Sequence, residues 1–97
     1  MNTPERKEVN TDVSPSLTLL PWDAVLETGK AVTIGSQKHL AGEWQTFPRE
    51  VHLDAALRHI GAVLVGQEID DETNCHHLAL AASRILFALS QSIPENS

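Results

Sequence analysis

Apolar residues recur at helical spacing in three segments of the chain, which predicts an all-α fold, a small bundle of three main helices. The first helix is expected from Trp22 to about Ser36, and the second from Arg49 to about Val65, where Gly66 ends it. The second helix is expected to bury one stripe of side chains, namely Leu53, Ala56, Leu57, Ile60 and Leu64.

The third helix is expected to follow an acidic turn, with Asp70 or Asp71 as its N-cap and Pro94 beyond its end. Its core side would comprise Cys75, Leu78, Ala79, Ala82, Ile85, Leu86 and Leu89. A second, partly apolar side carries His77, Leu80, Arg84 and Phe87. This second side predicts that a helix of another subunit packs there.

The predicted helical domain covers residues 17–91, and polar segments flank it. Residues 1–16 contain two prolines and no apolar period, which predicts a disordered arm, and residues 92–97 are expected to form a flexible tail. Residues 16–20 are expected to form a short extended lead that packs its leucines on the core.

Size and composition limit the possible partners. A domain of fewer than 97 residues has a small core, so we expect a homo-oligomer. A formal charge of −6 argues against sequence-independent binding of DNA or RNA, which needs clustered cations. The chain has one cysteine, which excludes an internal disulfide, and no apolar run long enough for a membrane span or signal peptide. We therefore expect a cytoplasmic protein with no membrane partner.

The acidic turn is the sharpest chemical feature of the sequence. Glu68, Asp70, Asp71 and Glu72 lie between two predicted helices, where carboxylates can hold Mg²⁺ or Mn²⁺ and bridge to substrate phosphates. Solvated capping groups at a helix N-terminus are the alternative interpretation.

Other polar residues have two possible roles each. Lys38 and Arg58 are candidate phosphate contacts, although Arg58 has the i, i+4 spacing for an ion pair with Asp54. Trp44 is either a base-stacking residue or a core anchor. Of the adjacent His76 and His77, one is expected to be exposed and the other turned towards the site, because neighbours on a helix point about 100° apart. The ligand spacings of structural zinc are absent.

Several segments resemble a known family. They are Leu20-Pro21-Trp22-Asp23-Ala24, Gly35-Ser36-Gln37-Lys38-His39 with Trp44, Ala55-Ala56-Leu57-Arg58-His59, Gly66 through Asp70 to Glu72, and His77-Leu78-Ala79 with Leu86-Phe87. In order and spacing they resemble the N-terminal domain of phage dATP/dGTP diphosphohydrolases, which is similar to the all-α, MazG-like nucleotide pyrophosphohydrolases.

The resemblance implies an all-α oligomer that binds a nucleoside triphosphate through Mg²⁺ and releases pyrophosphate. It implies metal-binding or structural roles for Asp70 and Glu72, phosphate contacts for Lys38 and Arg58, and polar site positions for His59 and His77. The candidate catalytic residues are therefore Asp70, Glu72 and His77. From residue chemistry, Glu68 is a further candidate metal ligand, and Trp44 and Arg84 are further candidate ligand-binding residues.

This sequence departs from the family pattern at a few positions. It has Gln67 where the family has an acidic residue, and Leu80 and Arg84 where the family has His and Asn. Losing a carboxylate or His weakens metal ligation, whereas an added Arg strengthens anion binding. The leading hypothesis is therefore a phage-type protein that binds or sequesters a nucleotide or nucleotide-derived signal with weak or no hydrolysis, counteracting host defence. The alternatives are a Mg²⁺-dependent diphosphohydrolase of dATP and dGTP, and a non-catalytic inhibitor of a host protein.

Overall fold

The computed structural model describes residues 8–94 and contains three α-helices. They are α1 (Trp22–Ser36), α2 (Arg49–Leu64) and α3 (His77–Ser92), and 3-10 turns cover Leu17–Leu19 and Glu43–Thr46. The all-α prediction is confirmed. The parts of the predicted arm and tail at residues 1–7 and 95–97 lie outside the described residues.

The helix ends follow from local backbone chemistry. Pro21 precedes α1, and its carbonyl accepts a hydrogen bond from Val25 N at 3.0 Å. At the end of α2, Gly66 has a φ of 94°, Gly66 N donates to Val63 O at 3.0 Å, and Gln67 N donates to Ala62 O at 2.9 Å. This pair of bonds is a Schellman motif, which favours glycine at the left-handed position and confirms Gly66 as the stop.

Helix α3 lies between the other two helices and contacts both. It runs antiparallel to α2, because His77 at its start lies beside His59 while Phe87, near its end, lies beside His52. On its other flank Ala79 packs against Ala31 of α1. The three helices therefore form one layer with α3 in the middle.

The predicted core stripes are wrong for most of their large side chains. Leu57 is 65% exposed and Leu86 is 53% exposed, and Leu53, Leu64, Leu78, Ile85 and Leu89 are exposed as well. Among residues 8–94, the buried apolar residues are instead small: Ala31, Ala55, Ala56, Cys75, Ala79, Ala81 and Ala88. Small residues allow the helices to approach closely, and this leaves the leucines on an outer surface of the layer.

The predicted cap of α3 is also wrong, because α3 begins at His77 and neither Asp70 nor Asp71 caps it. Asp70 belongs to a tight turn closed by a bridge between Ile69 and His76. Within this turn Asp70 N donates to Cys75 O at 2.8 Å, and Asn74 N donates to Asp70 O at 2.8 Å. The backbone bonds of the turn separate Asp70 from the start of the helix.

The segment before α1 does not pack as predicted. Residues 17–19 form a 3-10 turn rather than an extended lead, and the leucines at 17, 19 and 20 are exposed. Residues 8–16 contain no helix or strand and are exposed. Within the described part of the chain, no helix is long and apolar enough to cross a membrane.

Candidate functional site

A cavity of about 500 Å³ opens on one side of the helical layer. Its walls come from the end of α1, the loop that leads to α2, the acidic turn, and the facing sides of α2 and α3. Its volume lies within the range of pockets that bind small molecules. The cavity therefore defines the candidate site.

The cavity collects most of the residues singled out in the sequence. Its lining includes Lys38, Trp44, His59, Asp70, Glu72 and Arg84. The lining does not include Glu68, Arg58 or His77. Leu80, Arg84 and Phe87, on the side of α3 predicted to contact another subunit, line the cavity instead.

One part of the cavity, which we term the aromatic end, consists of Trp44, Phe47, His52 and Phe87. Trp44 stacks on Phe87 with ring centroids 4.8 Å apart and an interplanar angle of 10°. Phe47 and Phe87 each contact the His52 ring edge to face. Trp44 therefore anchors the fold and also forms part of the cavity wall.

Hydrogen bonds to the backbone hold the aromatic end in place. His52 is 1% exposed, and its Nε2 lies 2.8 Å from Trp44 O. Gln91 Nε2 donates to Phe47 O at 2.8 Å. Because a carbonyl only accepts, His52 Nε2 carries the proton. His52 Nδ1 has no hydrogen-bond partner within the described residues.

The other part of the cavity, which we term the charged end, consists of Lys38, His59, Asp70 and Glu72. His59 Nδ1 lies 2.9 Å from Nδ1 of His77, so one ring donates a proton to the other. His77 is buried and His76 is exposed, as predicted, although His76 lies just before the first residue of α3 rather than within the helix. Burial, together with the neighbouring His77, lowers the pKa of His59.

Thr73 holds the side-chain carboxylate of Asp70. Its Oδ2 accepts hydrogen bonds from Thr73 N at 2.9 Å and from Thr73 Oγ1 at 2.7 Å. The hydroxyl bond is the main cause of the lowered pKa of Asp70. Both bonds use Oδ2, so neither of them occupies Oδ1 of Asp70.

Arg84 lies on α3 between the two ends of the cavity. It is partly buried, and its Nε has no hydrogen-bond partner within residues 8–94. Burial, and secondarily the charge of Arg58, lowers the pKa of Arg84. A partly desolvated cation that faces a cavity gains free energy when an anion binds there.

The two other predicted phosphate contacts are already in ion pairs. Lys38 pairs with Glu72, and both residues line the cavity. Arg58 pairs with Asp54 one helical turn away, as the alternative interpretation of its spacing predicted. Both pairs are exposed, so water screens their attraction.

The carboxylates of the acidic turn do not form a closed metal cage. Within the described chain, no group of three or more His, Cys, Asp or Glu side chains is placed to hold a metal ion. Among the carboxylates of the acidic turn, Asp70 and Glu72 line the cavity, whereas Glu68 lies outside it. One or two carboxylates completed by substrate phosphates is the usual donor set for nucleotide-bound Mg²⁺, and Asp70 with Glu72 fits that set.

Sequence reasoning missed part of the aromatic end. His52 and His59 share one side of α2 at i, i+7, but the spacing alone does not show that His52 lies against Trp44 and Phe87. These contacts join positions far apart in the chain. A contact of this kind depends on the tertiary fold.

Comparison with known proteins identifies a family. Residues 4–96 match the family model described as dATP/dGTP diphosphohydrolase, N-terminal. A protein of Salmonella phage PMBT28 named dATP/dGTP diphosphohydrolase is 39% identical over 61 residues, which cover 63% of this chain and 21% of the relative. The match therefore spans about a fifth of that relative's length. No solved structure matches this chain.

Proposed function

Because the chain belongs to the dATP/dGTP diphosphohydrolase N-terminal family, we propose that it binds a purine deoxynucleotide in the cavity with weak or no hydrolysis. The base would lie at the aromatic end and the phosphates at Arg84 and the charged end. The name of the phage relative supports dATP and dGTP as the ligands to test first. The observation that carries this proposal is one cavity with aromatic rings at one end and the partly buried Arg84 beside a charged end.

The spacing of the two ends supports this orientation. His52 and His59 line the cavity from the same side of α2, seven residues apart. At a rise of about 1.5 Å per residue, the aromatic and charged ends are roughly 10 Å apart. A nucleotide likewise carries its flat base and its charged phosphates at opposite ends.

Without a ligand, the carboxylates of the charged end are bonded to neighbouring residues. Asp70 already accepts two bonds from Thr73, and Glu72 already pairs with Lys38. A Mg²⁺ ion held by Asp70, Glu72 and the phosphates would neutralise phosphate charge and activate water. Engaging that ion requires Glu72 to leave Lys38, which would then be free to contact a phosphate.

Retention of an intact nucleotide suits a sequestering role. A protein that holds its ligand without turnover removes it from solution in proportion to its own concentration. We propose that this lowers the level of a nucleotide or nucleotide-derived signal, such as one used by a host defence. Arg84 and Trp44 are the residues on which such retention depends in this proposal.

Hydrolysis is the second candidate function, and the name of the phage relative favours it. The lowered pKa of His59 keeps its ring neutral near pH 7, so it can accept a proton. Because His59 Nδ1 faces His77, the nitrogen available for a proton from water is Nε2. In this mechanism the contact with His77 Nδ1 would hold the His59 ring in position, and the nearby carboxylate of Asp70 would favour its protonated form.

Isothermal titration calorimetry with dATP and Mg²⁺, followed by chromatography of the recovered ligand, separates these candidates. Saturable binding with dATP recovered intact supports the binding function. Release of dAMP and pyrophosphate that Asp70→Asn abolishes supports hydrolysis, whereas an equal rate in Asp70→Asn points to a contaminant. Absence of affinity for dATP, dGTP and every other nucleotide tested would overturn both candidates.

A further inference from the structure

The aromatic end of the cavity contains a buried histidine with an unused hydrogen-bonding atom. His52 is 1% exposed and lines the cavity. Its Nε2 lies 2.8 Å from Trp44 O, so Nε2 carries the proton of the neutral ring and Nδ1 carries a lone pair. Nδ1 is buried and has no hydrogen-bond partner among residues 8–94. The aromatic end therefore holds an acceptor that the described part of the chain leaves unused.

The side chain that shares the Trp44 carbonyl with His52 does not supply the missing donor. Gln91 Nε2 donates to Phe47 O at 2.8 Å and to Trp44 O at 3.3 Å. An amide nitrogen has two hydrogens, so these two bonds use both of them. Gln91 Oε1 is itself an acceptor, and it is also buried without a partner within the described residues. His52 and Gln91 thus leave two acceptors and no donor at this end.

The orientation of the His52 ring suits contact with the edge of a base. Trp44 and Phe87 are parallel to within 10°, whereas His52 is inclined to them by 62° and 60°. A base that lies parallel to this stacked pair would meet the His52 ring at the same inclination, so it would not stack on that ring. The hydrogen-bonding groups of a base lie along its edge. A hydrogen bond at that edge is therefore the polar contact open to His52.

We propose that His52 Nδ1 accepts a hydrogen bond from the exocyclic amine of the bound base, which makes His52 a specificity-determining residue. The inference rests on the proposed binding of a purine deoxynucleotide in the cavity. A buried acceptor without a donor costs free energy, and an amine N–H that reaches Nδ1 recovers it. A purine with a carbonyl oxygen or a C–H at that position leaves the cost in place. The cavity therefore selects amino purines over analogues that lack the amine.

Two pairs of ligands isolate the amine. The triphosphate of 2′-deoxynebularine is dATP without its exocyclic amine, and dITP is dGTP without its exocyclic amine. In calorimetry with Mg²⁺, the analogue of one pair should have a Kd about ten-fold higher than its parent nucleotide. The pair that differs shows whether the amine of adenine or that of guanine is bound. Equal Kd values within both pairs would overturn the inference alone, whereas absence of binding by all four ligands would overturn the proposed function with it.

Two substitutions separate the acceptor of His52 from its packing. His52→Leu and His52→Asn both remove the ring and its bond to Trp44 O, but asparagine keeps an acceptor oxygen near the position of Nδ1. His52→Leu should make the Kd values of the discriminating pair equal, and His52→Asn should retain part of the difference. His76→Leu is the matched control, because His76 is exposed and does not line the cavity. Discrimination that survives in His52→Leu, or that falls equally in His52→Asn, would overturn the inference.

Nuclear magnetic resonance of the unmodified chain keeps the test decisive if neither variant folds. The chemical shift of an imidazole nitrogen changes when its lone pair accepts a hydrogen bond. In protein with ¹⁵N-labelled histidine, the Nδ1 signal of His52 should therefore move when the amino member of the discriminating pair binds. It should move much less with the analogue that lacks the amine. Equal movement with both ligands would overturn the inference.

Discussion

The two ends of the cavity are stabilised in different ways. At the aromatic end, Trp44 stacks on Phe87, and the backbone oxygen of Trp44 lies 2.8 Å from His52 Nε2. At the charged end, Lys38 and Glu72 form an exposed ion pair. Packing therefore fixes the shape of the aromatic end before any ligand binds, whereas the charged end can exchange its internal contacts for contacts with a ligand.

This difference assigns separate tasks to the two ends. A preformed aromatic wall lowers the entropy cost of placing a flat base. Exchangeable ions at the charged end can pair with phosphates and Mg²⁺. Changes at the aromatic end should thus alter both stability and binding, and changes to the exposed Lys38–Glu72 pair should alter mainly binding.

Trp44→Ala breaks the aromatic end and should have the largest effect. It removes the ring stacked on Phe87, and because Trp44 is only partly buried we expect a loss of about 2–3 kcal/mol in unfolding free energy. Urea denaturation measures this loss. Trp22→Ala, at the half-exposed Trp22, is the control and should lose less than half as much. Equal losses would show that the stack does not stabilise the aromatic end.

Arg84→Gln separates phosphate binding from base binding. A hydrogen-bonded phosphate at this cation should contribute about 2 kcal/mol, so the Kd for dATP should rise roughly thirty-fold. Calorimetry with 2′-deoxyadenosine, which has no phosphate, should show little change. Arg58→Gln is the control, because Arg58 pairs with Asp54 and does not line the cavity. An effect of Arg58→Gln as large as that of Arg84→Gln would place the phosphates elsewhere.

Acidification should weaken the charged end. The pKa of His59 is lowered from 6.5 in the folded chain, so the unfolded chain binds a proton first as the pH falls. The stability from neutral His59 is complete above pH 6.5 and is lost as the pH falls through the folded pKa. Thermal melts between pH 7.5 and 5.5 should show a falling midpoint, and His59→Gln should flatten this dependence. An identical slope in His59→Gln would assign the effect to another group.

The smallest effect on stability is expected for Lys38→Met. The Lys38–Glu72 pair is exposed, and such pairs contribute no more than about 1 kcal/mol. The unfolding free energy should therefore change by less than about 0.5 kcal/mol, while affinity for dATP falls through loss of a phosphate contact. Parallel denaturation and calorimetry measure the two quantities. A large loss of stability would contradict the assignment of Lys38 to an exchangeable pair.

The local features of the fold could be predicted from the sequence. Helical periodicity located α1 and α2, and Gly66 predicted the end of α2 because a left-handed residue favours glycine. The start of α3 could not be predicted, because Asp70 resembles a helix cap in sequence but bonds within a turn. Periodicity also identified the leucine stripes without showing what covers them.

The candidate site was predictable as a group of residues but not as a geometry. The acidic turn and the cations have recognisable chemistry, and Asp70, Glu72, Lys38 and Arg84 do line one cavity. The i, i+4 spacing did predict the Arg58–Asp54 pair, whereas the pairing of Lys38 with Glu72 depends on the tertiary fold, which a sequence pattern does not contain. His52 went unrecognised for the same reason, since its neighbours come from the loop and from α3.

A crystal structure of the chain with dATP and Mg²⁺ tests the central claim most directly. The account predicts an intact nucleotide in the cavity, with its base against the aromatic end and its phosphates at Arg84 and Lys38. A nucleotide bound outside the cavity, or bound with its phosphates beside Trp44 and Phe87, would contradict the account.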